Sequence, residues 1–80
     1  MTLARNEILE TLGEIVSQIA GVPAAQVGPA SSFAGLGIGP LQLTNVVEEA
    51  EIKWDLGIPD QDINFTTVGQ LADYILQWEG

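Results

Sequence analysis

The sequence contains no cysteine and no histidine, and it sets only two cations, Arg5 and Lys53, against eleven carboxylates. Each absence removes a class of chemistry. Without cysteine there is neither a disulfide framework nor a thiolate zinc site. Without histidine no side chain has an unperturbed pKa near neutrality. A serine–histidine hydrolase or a histidine-ligated metal centre cannot be built. The carboxylates do not fill the gap. Glu48 and Glu49 are adjacent, and neighbours on a helix point about 100° apart, so they do not converge on one atom. Asp60-Gln61-Asp62 has the look of a calcium-loop start, but the glycine and distal glutamate of such a loop are missing. Neither an enzyme nor a metal site is expected.

Positive charge is scarce. The net charge is −9, which makes nucleic acid a poor partner, because binding it requires cations that displace counterions. An anionic membrane is disfavoured for the same reason. The natural complement is a basic protein surface. No run approaches the roughly 18 apolar residues of a membrane span. The first residues include polar Thr2, Arg5, Asn6 and Glu7, with no apolar core of a signal peptide. The expectation is a cytoplasmic protein.

Apolar residues, in contrast, are plentiful. At 46% hydrophobic the chain is too apolar to stay disordered. Its 80 residues are expected to form one domain, 1–80. A chain this small buries only about two-thirds of its unfolded surface, so apolar residues must be placed efficiently.

Their spacing is helical. Ile8, Leu12, Ile15, Val16 and Ile19 recur every three or four residues, which predicts an amphipathic helix from Thr2 to about Ala20. Thr2 is the expected cap, and Gly21 with Pro23 the stop. Gly13 lies inside this helix, where it costs up to about 1 kcal/mol relative to alanine, and the expectation is that it permits close packing. Residues 21–39 hold many glycines, prolines and serines and read as a long loop, anchored by Val22, Val27, Phe33 and Leu36. A second helix is expected from Pro40 to about Trp54, with Leu43, Val46, Val47 and Ala50 inward. Proline suits the first helical position, which makes Gly39 the N-cap. Asp55 and Gly57 turn the chain, and Asp60–Asn64 is a candidate single turn. A last helix follows Thr66, its expected cap, with Val68, Leu71, Ala72, Ile75 and Leu76 inward. The fold class is all-α, a small bundle of three to four helices with a long first loop.

Four segments in order resemble the acyl carrier protein family. They are Ile19-Ala20-Gly21-Val22 with Ala24-Ala25-Gln26-Val27, then Phe33-Ala34-Gly35-Leu36-Gly37-Ile38. Next come Glu48-Glu49-Ala50-Glu51 with Trp54-Asp55-Leu56-Gly57-Ile58-Pro59-Asp60, and last Thr66-Thr67-Val68-Gly69-Gln70-Leu71. The resemblance spans nearly the whole chain. The family's attachment motif is aspartate-serine-leucine at the start of the second helix, where phosphopantetheine is esterified to the serine. Here those positions read Gly39-Pro40-Leu41. Proline has no hydroxyl, so the expectation is a pseudo acyl carrier protein with no cofactor and phosphopantetheine absent. The nearby hydroxyls of Ser31, Ser32 and Thr44 lack the motif's context.

The resemblance then implies a recognition surface. The family docks its second helix and the preceding loop on basic patches of ketosynthases and other synthase components. Carried over by position, the candidates are Ile38, Gly39, Pro40, Leu41, Glu48, Glu49 and Glu51. The implied role is a structural or regulatory partner in polyketide or fatty-acid biosynthesis. Two alternatives stand beside it: an ordinary carrier deliberately inactivated by substitution, and a module that holds an acyl chain or lipid without a covalent bond.

Overall fold

The computed structural model describes residues 4–78. Three α-helices carry the fold: α1 (Arg5–Ala20), α2 (Pro40–Trp54) and α3 (Val68–Leu76). Short 3₁₀ turns at Ala24–Gln26 and Asp60–Asp62 punctuate the two connections. Helix α1 packs against both α2 and α3. The expected helical bundle is therefore present, and the expected single turn near Asp60 is a 3₁₀ turn. The turn at Ala24–Gln26 lies in what the sequence presents as plain loop.

Helix α1 buries Ile8, Leu12 and Val16 completely, as the apolar spacing requires. The expected cap Thr2 lies outside the described residues; the helix begins after Ala4, which makes no side-chain cap. Gly21 ends it in the left-handed region (φ 74°), its N–H bonded to the Ser17 carbonyl, the usual use of glycine at a helix end. Helix α2 runs over the expected residues and buries Val46, Val47 and Ala50. It ends at Asp55, also left-handed at φ 55°. The turn thus falls on Asp55 and not on Gly57, which has no positive φ. Asparagine and aspartate tolerate this conformation better than other non-glycine residues.

The long loop is tied to the start of α3. The N–H of Phe33 donates to the Thr66 carbonyl, that of Val68 to Ser31, and that of Gly69 to Pro29, at 3.0, 3.0 and 2.9 Å. Gln70 N–H donates to Thr67 Oγ1 at 3.2 Å. The first turn of a helix leaves its N–H groups without helical partners; here the loop supplies two and a threonine the third. The cap is therefore Thr67, not the expected Thr66, whose N–H instead donates to Gln70 Oε1. These bonds bring Phe33 into the core, 3% exposed, while Leu36 packs at its margin with Val27.

An aromatic row lies along α3. Tyr74 meets Phe65 edge-on at 5.3 Å and Trp78 at 5.7 Å between centroids, so Trp78 docks on Tyr74. The Tyr74 hydroxyl donates to Asp62 Oδ2 at 2.7 Å. Burial, then the hydrogen bond and negative charge of Asp62, hold the phenol above its usual value. A raised phenol pKa stabilises the fold below pH about 10, and that contribution is lost as pH rises through the folded-state value. Tyr74→Phe is expected to cost about 1 kcal/mol at neutral pH. It should also reduce the loss of stability at alkaline pH, as read by urea denaturation of both proteins at neutral pH and above pH about 10.

Candidate partner-docking site at the start of the second helix

The site begins with the backbone. Gly39 is extended (φ −82°, ψ 178°) and Pro40 is the first helical residue. Gly39 has no side chain with which to cap. Its own N–H donates to Gln42 Oε1 at 3.1 Å, and its carbonyl accepts the first helical bond, from Leu43 N–H, at 2.9 Å. Proline fits because its missing N–H would have had no helical partner. The helix start is intact.

Leu41, one residue further, is 78% exposed. An aliphatic side chain at the first turn of a well-formed helix, facing water, contributes little to folding. Pro40 is exposed beside it. Below them lies a groove of about 430 Å³, lined by Phe33, Ile38, Leu43, Ile63 and Phe65, with Gly39 and Pro40 at its rim.

Two candidate residues take other places. Ile38 is only 5% exposed and belongs to the core; the loop bonds that pull in Phe33 also bring Ile38 inward, its N–H bonded to the Phe33 carbonyl. It floors the groove and is not part of an exposed edge. Glu51 is half-buried, and its Oε2 accepts the Ile58 N–H at 3.0 Å. It closes the turn after α2 and is not available as a free docking charge. Glu48 and Glu49 are exposed. Glu48 is two turns after Leu41 and shares its face, whereas Glu49 lines a shallow groove against α1 with Thr11, Ile15 and Gln18. Sequence reasoning missed Ile52, 77% exposed. The signal was present, since residues 41, 45, 48 and 52 follow one helical stripe.

Arg5 pairs with Asp73 at 2.7 Å, linking the start of α1 to α3. Among the described residues no group of three or more potential ligands could hold a metal ion. No helix among them is long and apolar enough to cross a membrane.

Comparison with known proteins fixes the family. The model described as "Phosphopantetheine attachment site" matches residues 10–75. The acyl carrier protein of Acidothermus cellulolyticus is 42% identical, over 94% of this chain and 92% of that protein. That of Thermobifida fusca is 39% identical, over 94% and 98%. The chain belongs to the acyl carrier protein family. The meromycolate extension acyl carrier protein of Mycolicibacterium aurum is also similar, 32% identical over 99% of this chain and 84% of its own length. Members of the acyl carrier protein family are carriers and not enzymes, and this chain is no enzyme.

Membership corrects one expectation. The matching family is described by phosphopantetheine attachment, and the match includes position 40, which contradicts the expectation that the prosthetic group plays no part. The residues at that position still do not fit the group, because Pro40 offers no hydroxyl to esterify. The neighbouring hydroxyls are engaged. Thr44 Oγ1 donates to the Pro40 carbonyl at 3.2 Å, Ser31 Oγ accepts from Gly28 N–H, and Ser32 Oγ accepts from Gly35 N–H, both at 2.9 Å.

Proposed function

We propose that the chain, residues 1–80 as one domain, is an atypical acyl carrier protein with Gly39-Pro40-Leu41 at the attachment motif. It serves as a structural or regulatory partner of a ketosynthase or related enzyme of fatty-acid or polyketide biosynthesis. The observation that carries this reading is Leu41: 78% exposed, on a helix start that keeps its geometry. The exposed carboxylates of Glu48 and Glu49 support a basic patch on the enzyme as the complement. Relatives named for meromycolate extension support a fatty-acid-type synthase as the setting. Such a protein works where the synthase works, in the cytoplasm, and binds neither nucleic acid nor membrane.

The test is titration of the purified ketosynthase of the same organism with this chain. Saturable binding is expected, weakening as salt rises because exposed charges are screened. Leu41→Ser should weaken it about tenfold or more, the loss expected when a buried aliphatic contact is removed. Absence of binding, or indifference to Leu41→Ser, would sink the reading.

The groove favours a second reading. Its aromatic and aliphatic lining suits an acyl chain held without a covalent bond. Native mass spectrometry of gently extracted protein would then find a lipid adduct, and its absence counts against this alternative.

A further inference from the structure

Helix α2 exposes two large aliphatic side chains, and they are not neighbours. Leu41 is 78% and Ile52 77% exposed, the two most exposed of the large hydrophobic residues among those described. They are eleven positions apart in the sequence. At about 100° per residue they lie within about 20° of the same face, and at 1.5 Å rise they stand about 16 Å apart. Glu48 falls between them on that face, also within about 20° of Leu41. Asn45 completes the stripe and is exposed.

We infer that the docking face carries two aliphatic anchors, Leu41 and Ile52, and that its partner is a protein surface with two apolar sockets about 16 Å apart and a cation between them, opposite Glu48. The inference rests on the docking reading above and extends it to the far end of α2. Ile52 adds nothing to the core, so folding does not require it. Single exposed aliphatics are ordinary, but two in one stripe with a carboxylate between them form a pattern that a partner can read. Beside Ile52 a shallow groove of about 190 Å³ between α1 and α2, walled by Ile15, Gln18 and Glu49, offers a place for a side chain of the partner. Lys53, one residue on, lies about 100° round the helix from Ile52 and so off this face, which leaves Glu48 as the charge between the two anchors. The net charge of −9 opposes a second copy of the chain as the occupant, since the same carboxylates would face each other.

The experiment measures binding of the purified ketosynthase to the wild type, Leu41→Ser, Ile52→Ser and the double variant. An exposed control, Gln61→Ser, lies away from the stripe. Circular dichroism checks folding, and sedimentation reads self-association of the free chain. The expected result is a loss of about tenfold or more for each single variant, a greater loss for the double, and no change for the control. Binding that responds to Leu41→Ser and ignores Ile52→Ser overturns the two-anchor inference and leaves the docking reading standing. No binding by the wild type overturns both. A dimer of the wild type that Ile52→Ser dissociates overturns the inference, with a second copy as the true occupant.

Discussion

Leu71→Ala is expected to remove about 2–5 kcal/mol of stability. Leu71 is fully buried at the centre of α3's inner face, and truncation there loses the transfer energy of the side chain and leaves a cavity. A domain of this size has few kilocalories to lose, because net stabilities begin near 5 kcal/mol and a small chain buries a smaller share of its surface. Urea denaturation should show a much lower midpoint with a similar slope. Leu76→Ala, on a side chain 40% exposed, should cost under about 1 kcal/mol. The docking residues lie on α2 and not on α3, so Leu71→Ala would weaken partner binding only in proportion to the fraction unfolded. A small effect of Leu71→Ala would mean that α3 does not pack as described.

The second large effect sits two residues earlier in α3. Gly69→Ala places a methyl group 2.7 Å from the Pro29 carbonyl oxygen and 3.2 Å from an Arg5 guanidinium nitrogen. The carbonyl is backbone, and it is the one that accepts the Gly69 N–H. Relief requires the loop to move away from α3. The expected outcome is a net loss of about 1–2 kcal/mol despite alanine's better helix propensity. Gly13→Ala makes the contrast. A methyl there would meet the Ala24 carbonyl oxygen at 3.7 Å and Val27 Cβ at 3.9 Å, ordinary contact distances. Gly13 is therefore not required for close packing, and its replacement should stabilise by up to about 1 kcal/mol. Thermal unfolding separates the two, since 1 kcal/mol moves the midpoint by about 4–8 °C in a domain of this length.

These two glycines mark where sequence reading stops. Both look alike in the sequence, as helix-weakening residues inside an apolar pattern, and only the approach of Pro29 to α3 separates them. The helices themselves were legible because Ile8, Leu12 and Val16, or Val46, Val47 and Ala50, declare their buried face by spacing. The loop was legible as a loop, but not its hydrogen bonds to α3, which join residues far apart in the chain. Ile38 follows Phe33 into the core through a local bond to the Phe33 carbonyl, and is not part of the exposed docking surface expected of it. Glu51 was misread for a similar reason. The resemblance implies a docking carboxylate there, while its bond to Ile58 N–H depends on how the turn after Asp55 folds back. Leu41 was legible through family resemblance, and Ile52 through helical spacing that had not been followed to the end of α2. The prosthetic group was not legible from the attachment motif, because Gly39-Pro40-Leu41 keeps neither the aspartate nor the serine; the match over residues 10–75 is what points to it.

The docking face is tested most directly by placing a photoreactive side chain at position 41 and irradiating the protein with the purified ketosynthase. The account predicts a cross-link to a lysine- and arginine-rich surface of the enzyme, lost when Glu48 and Glu49 are both changed to lysine. A cross-link to an acidic surface, or none at all from a folded protein, would contradict it.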